Sequence, residues 1–129
     1  MKRPLAVMMN RTIRTIPKDA TLLDAAALMR EVRVGALMVE DGGSLVGIVS
    51  ETDLVRKGIA ESRDFRGEKV QAIMSSPIIT IEIDRPTSDA SDLMSEKGIR
   101  HLAVTDGGKI VGVISVRDLL RYYKNWGAF

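Results

Sequence analysis

Two copies of one short pattern hold the residues best suited to chemistry. Gly47-Ile48-Val49-Ser50-Glu51-Thr52-Asp53 reads as a strand running into a helix, and Gly112-Val113-Ile114-Ser115-Val116-Arg117-Asp118 repeats it. A helix start offers unpaired N–H groups and the positive end of the helix dipole, which together can hold a phosphate. The Ser hydroxyl can donate to the same anion, and the Asp, one turn in, can accept from two vicinal sugar hydroxyls. The Gly three residues before the Ser lets a ligand or another backbone come close. Ser-x-x-Asp is equally a self-sufficient helix cap, in which each side chain satisfies the other residue's N–H. Duplication in register puts the ligand reading on an equal footing with the cap, and the pattern alone leaves both open.

A second candidate is Gly98-Ile99-Arg100-His101-Leu102, whose counterpart is Arg33-Val34-Gly35-Ala36-Leu37. Adjacent residues on a strand point to opposite faces. At a helix-to-strand corner, Arg100 and His101 could still reach one anion. The plain alternative is a surface Arg and a half-buried His. Other chemistry lacks its parts. The chain has no Cys and a single His, so it offers no thiolate site, no His cluster for a metal and no nucleophile–base pair. Gly42-Gly43 is followed by no Gly-Lys-Ser/Thr, so it reads as a turn rather than a phosphate loop. Asp24 and Asp89 have a capping explanation, and Met29, Met38, Met74 and Met94 sit at apolar positions as soft core filler. No enzyme activity and no metal site are expected.

The elements that position these residues are themselves duplicated. Shifting the chain by 65 residues lays Met9–Val55 over Met74–Leu120 without a gap, with 20 of 47 positions identical, against roughly three by chance at average composition. Each copy reads β-α-β-β-α. Ile13–Ile16 is a short strand stopped at Pro17. Thr21 and Asp24 form a capping-box pattern at the start of a helix that places Leu22, Ala25, Ala26, Met29 and Val32 on one face and ends near Arg33–Gly35. Ala36–Val39 and Leu45–Val49 are strands joined by Asp41-Gly42-Gly43, a turn that accepts positive φ. Ser50 then starts a second helix toward Gly58. In the second copy Pro86 stands where the first has Thr21. Val70–Met74 parallels Leu5–Met9 as a lead-in, and 59–69 is a polar connector. The expected class is α/β (α+β), with repeats at residues 1–60 and 61–129 covering each other's apolar faces in a pseudo-two-fold pair.

The tail 119–129 carries four of the five aromatic residues. Leu119, Tyr122, Tyr123 and Trp126 share a helical face by their spacing. That face either packs on the chain's own lead-in or serves a subunit interface.

Composition limits the partners. Among 129 residues, 19 Lys+Arg against 17 Asp+Glu give a net charge of only +2. No block of five or more basic residues exists, so nucleic-acid binding has no support. No apolar run reaches the ~18 residues of a membrane span. Hydrophobic residues at 45% and charged ones at 28% fit a globular chain, expected to be soluble and cytoplasmic.

In its duplicated β-α-β-β-α order, Asp-Gly-Gly hairpins and repeated Gly-apolar-apolar-Ser-x-x-Asp, the chain resembles a stand-alone pair of CBS domains (cystathionine β-synthase domains, together a Bateman module). The resemblance covers nearly the whole chain. It implies a regulatory module that binds AMP, ADP, ATP or S-adenosylmethionine in clefts between the repeats, forms a homodimer and signals to a separate effector protein. Carried over residue by residue, it implies one cleft where Ser115 and Asp118 meet Thr12, Ile13 and Gly35-Ala36-Leu37. In the other, Ser50 and Asp53 meet Pro77, Ile78, Ile79 and Arg100-His101. Each Asp would hold ribose hydroxyls, and the Ser and helix end a phosphate. The cleft with Arg100 and His101 should prefer more phosphate charge. The rival expectation is a constitutive interaction subunit with empty clefts.

Overall fold

A computed structural model of the chain describes residues 4–125. It divides into two units: Arg14–Ile78, and the residues up to Ile13 together with those from Ile79 onward. Each unit is built on one three-stranded sheet. In the first, β1 (Thr15–Pro17) pairs parallel with β2 (Ala36–Asp41), which pairs antiparallel with β3 (Ser44–Ser50). In the second, β4 (Thr80–Glu82), β5 (His101–Asp106) and β6 (Lys109–Ser115) repeat the arrangement, down to an irregularity at the equivalent point of each hairpin. Helix α2 (Leu22–Val32) contacts β2, and α4 (Thr87–Lys97) contacts β5. The parallel β1–β2 and β4–β5 pairs need a helical crossover, and α2 and α4 supply it.

The apolar positions of the two copies fill the same places. Ile16, Met29, Leu37 and Val49 lie in one core, and their equivalents Ile81, Met94, Leu102 and Ile114 lie in the other. Met29, Met38 and Met94 are buried, as expected of core filler. The double-glycine turns take positive φ at Gly42, Gly43, Gly107 and Gly108. The first strand of each copy runs slightly later than its alternation suggests: β1 starts at Thr15 and includes Pro17, which an edge strand tolerates.

The lead-ins depart from the simple repeat. The first is a short helix, α1 (Pro4–Met8), and the second a single 3-10 turn (Val70–Ala72). Each joins the core of the other copy's unit. Leu5 and Met9 pack with Leu102, Ile114 and Leu119, while Val70 and Ile73 pack with Leu22, Leu37 and Leu54. Asn10 bridges to Val113 and Ser75 to Ile48. One expectation for the tail concerns its packing on the lead-in. Tyr123 packs on the core that contains Leu5 and Met9, in agreement with that expectation. Tyr122 and Tyr123 meet edge to face. Trp126 lies outside the described residues.

The helix that follows each hairpin differs between the copies. In the second it is regular, α5 (Val116–Asn125). In the first, α3 (Glu51–Asp53) passes directly into a π-helical segment, Leu54–Ile59, closed by the Ala60 N–H on the Val55 carbonyl. The connector after it is tied down. Leu22 and Leu23 N–H groups donate to the Glu68 and Phe65 carbonyls, and Phe65 packs against the core.

Candidate functional site

Each Ser-x-x-Asp lies where a hairpin strand turns into a helix. At the first corner Ser50 Oγ accepts from the Asp53 N–H (3.2 Å), and Asp53 Oδ2 accepts from the Ser50 N–H (3.0 Å) and Oγ–H (3.1 Å). At the second, Ser115 Oγ accepts from the Asp118 N–H (3.2 Å), and Asp118 Oδ2 accepts from the Ser115 N–H (2.8 Å) and Oγ–H (3.0 Å). Both are complete capping boxes of the kind the spacing allows. In each, one carboxylate oxygen and the hydroxyl are committed to the cap, so Oδ1 is the oxygen left over.

The leftover oxygens have different surroundings. Asp53 Oδ1 is 3.2 Å from Lys57 Nζ, which also donates to the Ile73 carbonyl at 3.2 Å. Asp118 forms no ion pair with any described residue, because the position equivalent to Lys57 is Tyr122. The Lys57 backbone is fixed as well. Arg63 Nε donates to the Lys57 carbonyl and the Arg63 N–H to that of Gly58, each at 3.0 Å. The guanidinium is in turn held by Glu68 (2.7 Å) and Glu61 (3.3 Å). Its hydrogen bond to Glu68 raises the Arg63 pKa above the ordinary guanidinium value, against an opposing effect of desolvation and with further help from the Glu68 charge and from the hydrogen bond and charge of Glu61. A raised cation pKa stabilises the fold below the unfolded value and is lost only as pH rises through the folded one. The clamp therefore stays charged on its Arg side throughout the neutral range.

The glycines of the pattern have a structural use. A Cβ on Gly47 would lie 2.7 Å from Met74 Sδ and 2.9 Å from the Ser75 carbonyl oxygen. On Gly112 it would lie 2.6 Å from Met9 Sδ and 3.1 Å from the Asn10 oxygen. The close approach is that of another backbone, the lead-in, and its methionine.

The hairpin register groups the remaining candidates within each unit. Ala36 lies opposite Ser50, and the Gly35 carbonyl accepts from the Glu51 N–H at 2.9 Å. The Leu37 side chain is fully buried in the core, which leaves only its backbone for a ligand. Likewise His101 lies opposite Ser115, and the Arg100 carbonyl accepts from the Val116 N–H at 3.0 Å. Arg100 is exposed and His101 half-buried. Within its own unit, therefore, each hairpin places Arg100-His101 beside Ser115 and Gly35-Ala36 beside Ser50. Strand pairing is the cause: the residue that opens the inner strand of a hairpin faces the one that closes its partner. Thr12 and Ile13 share a unit with Ser115 and Asp118, and the Thr12 N–H donates to Asn10 Oδ1. Pro77 and Ile78 share one with Ser50 and Asp53. Ile79 accepts from the Ala103 N–H at the edge of the second sheet. Lys57 went unnoticed in the sequence. Its signal was its spacing, four residues after Asp53 on a helix.

Among the described residues no group of three or more His, Asp or Glu could hold a metal ion, and no helix is long and apolar enough to cross a membrane.

The CBS-domain family model matches residues 5–59 and again 70–125. A CBS-domain-containing protein of Bacillus subtilis is 31% identical over 111 residues, covering 86% of this chain and 79% of its own. An uncharacterized protein of Methanocaldococcus jannaschii is 33% identical over 128 residues, covering 89% of this chain. The chain spans only 30% of that protein, and 58% of an uncharacterized Methanopyrus kandleri relative. Among solved structures, a CBS-domain protein of Burkholderia ambifaria superposes with a TM-score of 0.82 at 40% identity, covering 86% of this chain and 82% of its own. An uncharacterized conserved protein of Pyrococcus horikoshii gives 0.85 at 30% identity, covering 94% and 93%. The duplicated sheet-and-helix units, their matched cores and these likenesses agree: the chain belongs to the CBS-domain family and carries a tandem pair of CBS domains.

Proposed function

We propose that the chain is a regulatory, ligand-sensing module that binds adenosine-containing ligands (AMP, ADP, ATP or S-adenosylmethionine) at its Ser-x-x-Asp corners and signals to a separate effector protein. The observation that carries this reading is Asp118. Its cap uses one carboxylate oxygen and leaves the other to accept from vicinal ribose hydroxyls. Val116 begins a helix at the same corner, with His101 opening the adjoining strand and Arg100 just before it. Ribose, phosphate and added phosphate charge thus each have a partner of matching chemistry. Such a module acts only through the difference in ligand affinity between its conformations. It works as a homodimer, a reading supported by exposed apolar side chains on successive turns after Asp53, Val55 at 55% and Ile59 at 65% exposure. Sedimentation should return twice the monomer mass; a monomer at micromolar concentration overturns that part.

The test is a thermal-shift panel of adenosine, AMP, ADP, ATP, S-adenosylmethionine and GTP, on wild type, Asp53→Asn and Asp118→Asn. A ligand at 100 times its dissociation constant should stabilise the fold by about 2.7 kcal/mol. An adenine compound should raise the midpoint of wild type, and Asp118→Asn should abolish the rise. A second reading has its own observation: both Ser–Asp pairs form complete caps from their own atoms. If no compound shifts the midpoint, the motifs are caps only and the chain is a constitutive interaction subunit.

A further inference from the structure

The two Asp corners are matched on Oδ2 and differ on Oδ1. Asp53 Oδ1 is closed by Lys57, and four features make that closure firm. The Asp53 side chain is only 12% exposed, so the pair is partly shielded from water. The Lys57 ammonium has a second anchor in the Ile73 carbonyl. The π-helical segment carries Lys57, and Arg63 grips its backbone at the Lys57 and Gly58 carbonyls. Glu68 fixes Arg63 in turn, and the Glu68 carbonyl receives the Leu22 N–H, so the chain of contacts ends at the start of α2. Among the described residues the second copy has no such ion pair or clamp, and a regular helix and Tyr122 occupy the equivalent places.

We propose that Lys57 is a lock on the first corner: it occupies the carboxylate oxygen a ribose would need, so the resting chain offers a nucleoside the Asp118 corner and withholds the Asp53 corner. The proposal rests on the nucleoside-binding reading above and adds to it a built-in inequality set by one side chain. Lys57 acts through Asp53 and is a positioning residue. Because it is anchored through the π-helical segment, any partner that loosens the 60–69 connector also frees Asp53.

Equilibrium dialysis with labelled adenosine tests this. Adenosine carries the diol but no phosphate, so removing the Lys57 charge does not by itself weaken its binding. In an Asp118→Asn background only the first corner can contribute. There Lys57→Met should tighten adenosine binding about fivefold, the scale of one partly exposed ion pair. Lys57→Arg should return it to the locked level, and adding Asp53→Asn should remove the gain. If wild type binds adenosine while Lys57→Met in that background leaves binding unchanged or weakens it, the lock is overturned and the nucleoside reading survives. If neither adenosine nor AMP binds wild type or any variant, the nucleoside reading falls and takes the lock with it. Thermal melts of each variant without ligand confirm that the comparison is between folded proteins.

Discussion

The two repeats differ least in their cores and most in the helix that follows each hairpin. Their sheets share topology, register and the position of the hairpin irregularity. Their Ser–Asp caps agree to within 0.2 Å in every hydrogen bond. One helix then continues as a regular α5, while the other becomes a π-helical segment clamped by Arg63. Duplication thus preserved what the fold requires and left the surroundings of each Asp free to diverge. A π-helical turn in a helix is an irregularity often associated with function, and here it carries the lysine that sets the two corners apart.

The largest expected effects should show the repeats as equals. Leu37→Ala and Leu102→Ala each remove a fully buried side chain from matched cores, and each should cost about 2–5 kcal/mol. Chemical denaturation checks this, and a difference of several kcal/mol between the two would break the equivalence. The next effect should separate them slightly. Gly47→Ala sets a Cβ 2.9 Å from a backbone oxygen, whereas at Gly112 only the Met9 side chain comes closer than 3.0 Å. Gly47→Ala should cost about 1–3 kcal/mol, with Gly112→Ala at the lower end because a methionine can shift; equal costs would overturn that distinction. A third contrast lies at the first helix of each copy. Thr21 caps α2 through a reciprocal box with Asp24, but Pro86 gives α4 no side-chain cap. Thr21→Ala should cost about 1 kcal/mol, while Pro86→Ala should cost clearly less. The smallest effect belongs to Lys18 and Asp41, an exposed pair found only in the first repeat. Lys18→Met should change the melting free energy by less than about 1 kcal/mol.

The parts that were legible in the sequence are those set by neighbours along the chain. Thr21 with Asp24, Ser50 with Asp53 and Ser115 with Asp118 form the caps their spacing announces. The Asp-Gly-Gly turns and the apolar faces of α2 and α4 follow from local geometry in the same way. The exchange of lead-ins was not legible. Leu5–Met9 and Val70–Met74 look alike, but nothing local says which sheet each will join. The π-helical segment was hidden because Leu54–Ile59 contains no Pro to interrupt a regular helix, and its geometry depends on Arg63 and Phe65 beyond it. The pairing of His101 with Ser115 is local in the same sense, because the Asp-Gly-Gly turn fixes the hairpin and the hairpin fixes which residues face each other.

On the function proposed above, the corners bind nucleoside ligands and do so unequally. Isothermal titration of AMP into wild type, Asp53→Asn and Asp118→Asn tests it most directly, since Asn preserves much of the cap while removing the charge. Wild type should bind AMP saturably, Asp53→Asn should change little, and Asp118→Asn should lose at least tenfold in affinity. Equal affinities in the two variants, or no heat of binding to wild type, would contradict it.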